Sequence, residues 1–177
     1  KLVRRQFKVR LENPDNIIFK LAETEIELRS ALALLHDSYV ATRLMEPHYS
    51  GMRATVYHAL PTTSTLIAKK GKRVIATISM VRNNPLGLPL EKIFNLEKIK
   101  NQSSHITEIS SLAIDPEFRG QRGLFFLLTK FMMEYSLRFY KVDYWVIAVN
   151  PKHYEIYKDI FLFDDLQKSA VSYDFVR

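Results

Sequence analysis

The chain has 177 residues, 47% apolar and 25% charged, no cysteine and a formal charge of +7. These values suit one globular domain over residues 1–177 with a real core, and they exclude disulfides, cysteine-ligated zinc and a thiol nucleophile. No run approaches the roughly 18 apolar residues of a membrane span, and the start Lys1-Leu-Val-Arg-Arg-Gln-Phe7 has no signal-peptide apolar region, so a cytoplasmic location is expected.

Phe7–Leu11 alternates apolar and polar residues and Ile17–Ala22 is a short apolar run, so both predict strands. Thr24 is a candidate helix cap, with Glu25 and Glu27 in the first turn where the dipole favours acids. The helix it opens carries Ile26, Leu28, Ala31, Leu32, Leu34 and Leu35 at helical spacing, to about Tyr39 or Val40. Arg43 to Pro61 is broken by Pro47 and Gly51 and predicts no long element. Thr65–Lys69 and Arg73–Arg82 form a hairpin about Lys70-Gly71-Lys72. Asn83 to Pro89 is a loop, and Leu90 to Lys100 predicts a short helix. After a strand through Glu108, a long helix is predicted from about Gln121 to Tyr140. Its apolar residues include Leu124, Leu127, Leu128 and Phe131, with Phe125 and Met132 widening the face. Val142–Val149 reads as a strand covered on both faces. Asn150-Pro151 opens a helix ending near Asp159, and Ala170–Val176 alternates as a last strand. The order predicts a mixed α/β (α+β) fold, with a mostly antiparallel sheet, flanking helices and one parallel crossover. Five glycines are too few for a many-turned all-β fold.

The segment Glu108-Ile-Ser-Ser-Leu-Ala-Ile-Asp115-Pro-Glu-Phe-Arg119-Gly-Gln-Arg122-Gly123-Leu124 is the most informative. A strand feeding a helix through a basic turn presents free backbone N–H groups and the positive end of a helix dipole, which suits phosphate. Glu108 stands just upstream. An anion site beside a carboxylate points to an enzyme handling a phosphate-bearing acyl donor. The positive charge calls for nucleic acid, an acidic membrane or an acidic protein. The absence of helix-turn-helix, zinc-finger or aromatic RNA-binding signatures favours a partner other than nucleic acid, and no metal site is expected.

The element order and basic turn resemble the GNAT N-acetyltransferase fold. The turn Arg119-Gly-Gln-Arg122-Gly123-Leu124 keeps the family's first arginine, with Arg122 and Leu124 where small residues are usual. That resemblance implies a pantetheine arm along Leu112, Ala113 and Ile114, a phosphate held by the turn (Arg119, Gln121, Arg122, Gly123, Leu124), and Tyr157 as general acid. Glu108-Ile-Ser-Ser-Leu resembles the E-x-S-R-[FL] strand of acyl-homoserine-lactone synthases, with Ser111 in place of their arginine. Val149-Asn-Pro-Lys-His153-Tyr-Glu-Ile-Tyr157 resembles the N-P-[RK]-H-x3-Y segment of long-chain N-acyl amino acid synthases. Residues from about Leu66 to Phe163 are similar to the N-acyl tyrosine synthases among them.

The resemblance implies that a long-chain acyl group passes from acyl carrier protein to the α-amine of an amino acid, tyrosine by the likeness, with no tightly bound cofactor. The donor would be the acyl-phosphopantetheine of the carrier, whose single phosphate Arg119 and Arg122 would hold. Leu124 and Phe125 are expected to crowd coenzyme A. The carrier is acidic, and a basic surface would steer it. Glu108, sharing a strand face with Ser110 and Leu112 unless a bulge intervenes, would hold the amine and take its proton. Burial against Trp145 would lift its pKa toward that task. The amide near Leu112 or Ala113 would hold the oxyanion. Arg43 and Arg53 are candidates for the acceptor carboxylate, Phe125 for the acyl pocket, Asn150 for a helix cap, and His153 for a contact to carrier or product. Alternatives are a coenzyme A-dependent N-acetyltransferase and a non-catalytic GNAT-like module binding an acidic partner. A surface Glu108 and solvated arginines are the plainer readings of the same residues.

Overall fold

The computed structural model describes residues 16–119 and 122–166, with the Arg122 side chain excepted. The strands expected over Phe7–Leu11 and Ala170–Val176, and Gln121, lie outside the described residues.

Among the described residues five strands form one sheet in the order β1-β2-β3-β4-β5. They are β1 (Ile17–Leu21), β2 (Thr63–Lys70), β3 (Arg73–Arg82), β4 (Ile106–Ile114) and β5 (Tyr144–Ile147). β1 to β4 are antiparallel neighbours, and β4–β5 is the expected parallel pair. The β2–β3 hairpin closes at Lys70↔Arg73. Its turn needs a left-handed residue, and Gly71 supplies φ +60°.

Helix α1 (Glu25–Ala41) starts where expected, with the Thr24 side chain accepting from the Glu27 N–H. It buries Ala31 on one face of the sheet beside Ile67 and Val74. Ile26 of the expected apolar set is instead 78% exposed. On the opposite face α3 (Arg122–Tyr135) presses Leu124, Leu128 and Met132 onto Leu66, Ile75, Ile78, Met80 and Ile109. A π-helical turn, Ser136–Tyr140, extends α3 to the residue expected as its end. A third cluster of Tyr57, Val81, Leu88, Leu90, Leu96, Ile106 and Val146 fills the end of the sheet beside β5.

The helix expected over Leu90–Lys100 does not form as one piece. A 3₁₀ turn covers Pro89–Lys92 and a single turn, α2, covers Glu97–Lys100. Leu90 and Leu96 both belong to the third cluster, yet six residues along a continuous helix would turn them roughly 120° apart. The chain breaks between them, and Asn95 restarts it by accepting from the Glu97 N–H at 2.7 Å. The helical stretch expected after Asn150 is continuous over residues 151–160, starting as a 3₁₀ turn, Pro151–His153, and ending as a π turn, Ile156–Ile160. Among the described residues no helix is long and apolar enough to cross a membrane.

Candidate active site

β4 changes partners halfway along, and that change makes the site. Thr107 to Ile109 pair with β3 on one side, and Ile106 to Ile109 pair with Tyr144 to Ile147 of β5 on the other. Beyond Ile109 the β5 pairing stops, while β4 continues to Ile114 against β3 alone. At the parting Ser111 takes φ +55°, and the register slips so that Ile78 faces both Ser111 and Leu112. This is a β-bulge, which bends a strand and re-aims its side chains. A cleft of about 1110 Å³ opens along β4, β5 and the segments packed beside them.

The bulge also decides which amides are free. The Asp115 N–H is spent on the Ile75 carbonyl at 2.9 Å, and Ala113 stands opposite Thr77. Strand alternation therefore turns the Ala113 amide into the sheet and leaves those of Ser111 and Leu112 directed away from β3. Of the two amides expected to hold an oxyanion, Leu112 or Ala113, that of Ala113 is thus taken up by sheet pairing and that of Leu112 is not. Leu112 also leaves the face of Glu108, because its side chain packs with Ile109 against α3.

Glu108 is 2% exposed. It stands between Val81 and Val146, and its Oε2 accepts from the Leu90 N–H at 2.7 Å. That N–H is one of the orphan donors at the start of the Pro89 turn, so the carboxylate caps it across the cleft. Burial pushes the carboxyl up to about 7, against the opposing pull of the Leu90 N–H. Trp145 was expected to bury Glu108, but it is the neighbour of Thr107, on the opposite face. Its indole N–H instead donates to Ser136 Oγ at the end of α3, at 3.0 Å.

Tyr157 lines the same cleft, its ring against Phe163 and Phe161 at centroid separations of 6.1 and 5.8 Å. Burial pushes its hydroxyl up to about 12, with Tyr39 adding to the shift, so it stays protonated at neutral pH. Arg53 lies over the Tyr39 ring, 4.5 Å from its centroid, on the cleft wall. Ser110, Trp145 and Asn150 also line the cleft. Asn150 caps its turn by accepting from the Lys152 N–H at 3.0 Å.

Several expected positions lie elsewhere. Arg43 and His153 are exposed and off the cleft wall. Phe125 makes edge contacts with Tyr157 and Phe161 at 6.4 and 5.8 Å from behind that wall. Leu124 is 2% exposed in the α3 core, so its side chain does not crowd the turn as expected. Arg119 folds back, donating from Nε to the Ile114 carbonyl at 2.9 Å and from Nη2 to Ser38 Oγ at 3.3 Å. Gly123 is the second residue of α3.

The structure adds residues that sequence reasoning missed. Tyr39, Tyr57 and His58 line the cleft. The His58 Nδ1 accepts from the Thr55 N–H at 3.1 Å, and the ring's Nε2 lies 3.3 Å from Ser111 Oγ. The Thr55-x-x-His58 spacing resembles a capping box, a signal that was available in the sequence.

A family model described as N-acyl amino acid synthase FeeM matches residues 30–176. The solved structure of FeeM, an N-acyl amino acid synthase from uncultured soil microbes, aligns with a TM-score of 0.68 at 20% identity, covering 81% of this chain and 76% of that one. A predicted acetyltransferase with acetyl-CoA from Clostridium acetobutylicum aligns at 0.57 and 14% identity, over 88% and 95% of the two chains. The AHL synthase LasI aligns at 0.53 and 18%, over 70% and 68%. No curated protein sequence matches the chain. The fold is that of the GNAT-like acyltransferases, as the element order predicted.

Proposed function

The chain belongs to the FeeM family of N-acyl amino acid synthases and is an N-acyltransferase, and from that premise we propose that, as a single domain, it moves a long-chain acyl group from acyl carrier protein to the α-amine of an amino acid, tyrosine first. The observation that carries the reading is Glu108, a carboxyl buried to 2% exposure and raised to about 7 where β4 parts from β5. A carboxylate with an ordinary pKa near 4.3 is a poor acceptor for an amine proton, and one near 7 is well matched.

In this mechanism the donor's pantetheine lies along the edge of β4 that β5 leaves, with its phosphate toward Arg119, Arg122 and Gly123. The acceptor's carboxylate meets Arg53. The neutral amine attacks the thioester carbon, forming C–N and placing the carbonyl's electron pair on oxygen, where the Leu112 N–H receives it. Glu108 takes the proton that the nitrogen sheds. As C–S breaks, the Tyr157 hydroxyl gives its proton to the departing thiolate, and solvent returns the Glu108 proton to Tyr157. No covalent enzyme intermediate is needed. The +7 charge favours an acidic carrier.

Leu124, turned into the core, removes the steric objection to coenzyme A, so that donor is the second reading. One assay separates them: purified enzyme is given acyl carrier protein or coenzyme A loaded with the same chain, plus a panel of amino acids, and products are weighed by mass spectrometry. The expected result is N-acyl tyrosine formed at least about tenfold faster from the carrier. Preference for acetyl-coenzyme A, or no N-acyl product from any pair, contradicts the proposal.

A further inference from the structure

The bulge residue Ser111 and its neighbour His58 play no part in that mechanism, yet both face the cleft. A non-glycine residue at φ +55° is strained, and here it is held at the point where β4 is released from β5. Ser111 is 9% exposed, and among the described residues its hydroxyl has one hydrogen-bond partner, His58.

The direction of that bond follows from the far side of the ring. A backbone N–H only donates, so the Thr55 N–H at 3.1 Å requires a bare Nδ1. Thr55 Oγ1, 2.9 Å from the same nitrogen, is then its second donor. A neutral ring therefore carries its proton on Nε2 and donates to Ser111 Oγ. Burial first, and then the Arg53 charge, pull the ring down to about 4, which keeps it neutral at working pH. In this tautomer His58 cannot remove the Ser111 proton, so the pair is not a serine nucleophile with its base. With one lone pair engaged by His58, the hydroxyl keeps its own proton to give.

Resting on the acyl-transfer reading above, we propose that the Ser111 hydroxyl is a catalytic oxyanion donor, giving a second hydrogen bond beside the Leu112 N–H to the thioester oxygen, and that His58 is the positioning residue that aims it. No proton leaves Ser111. The bond to the oxygen strengthens as C–N forms and relaxes when C–S breaks.

The test compares Ser111→Ala, Ser111→Gly, His58→Leu and His58→Gln in the full chain, using the donor and amine turned over fastest. Glycine relieves the positive φ, so Ser111→Gly separates loss of the hydroxyl from loss of fold. Both Ser111 variants should lower kcat about 100-fold, the scale of one oxyanion donor, with KM for donor and amine within about threefold. His58→Leu should match them and add nothing to Ser111→Ala. His58→Gln, which keeps a neutral N–H, should recover most of the loss. Wild-type kcat in either Ser111 variant, a loss confined to KM, or an acyl group trapped on Ser111 overturns the proposal. Nitrogen-15 NMR of the histidines gives an activity-free reading: the proposal requires His58 as the neutral Nε2–H tautomer, and an Nδ1–H ring defeats it. If N-acyl transfer depends on Glu108 and not on Ser111, this inference alone falls; if Glu108→Gln is silent, the acyl-transfer reading falls with it.

Discussion

Glu27 and Glu108 are buried to 7% and 2% exposure, and their surroundings drive the two carboxyls in opposite directions. Glu27, on α1, is met by Lys69 Nζ at 2.7 Å, by the Glu23 N–H at 3.1 Å and by Lys20 Nζ. These donors pull it down to about 2. Glu108 has one amide, and burial lifts it to about 7. The first is tied into the fold by opposite charge. The second is isolated in a cleft, a placement that costs stability and that the proposed role as base would explain.

The comparison breaks or sharpens through substitution. Glu108→Gln should lower turnover about 1000-fold, within the range of a lost general base, and leave donor affinity intact. Glu27→Gln should keep turnover within about twofold. Stability should respond to pH in opposite senses. Glu108 has a raised folded pKa, so the native state holds a proton that the unfolded chain has released above its ordinary value; stability declines as pH climbs from about 4.5 through about 7 and then levels off, by about 3 kcal/mol in all. Urea unfolding of Glu108→Gln should lack that decline. Glu27 has a lowered folded pKa, so its contribution is whole above its ordinary value and disappears as pH falls toward 2; Glu27→Gln should therefore lower Tm at pH 7 more than at pH 2.5. Tyr157→Phe should slow turnover about 30-fold by removing the acid for the thiolate, with a solvent isotope effect that reports the change. Arg53→Ala should raise KM for the amino acid about tenfold, with kcat less affected.

Much of this was legible in the sequence because it is written in short-range patterns. The hairpin follows from alternation about Gly71, α1 from its Thr24 cap, and the Glu108 strand and its helix from the change of period across Asp115 to Gly123. Glu108 and Tyr157 were found as candidates, and both line the cleft. What escaped depends on partners distant in the chain. The Ser111 bulge lies just past the point where β5 pairing ends, which no local pattern announces, and of the expected Leu112 and Ala113 amides it leaves Leu112 directed away from β3, together with Ser111. The broken helix after Pro89 answers to a shared core for Leu90 and Leu96. His58 sits in a stretch whose irregularity hid it, and Leu124 could be assigned to the core only once α3 was seen against β3.

The pH dependence of kcat/KM, measured for the wild type beside Glu108→Gln at saturating donor, tests the role of Glu108 most directly. An acid limb with an apparent pKa near 7 in the wild type, absent from a variant slowed about 1000-fold, is the result expected of a buried carboxylate that receives the amine proton. A variant within about twofold of the wild type, or one that keeps the same limb, would contradict it.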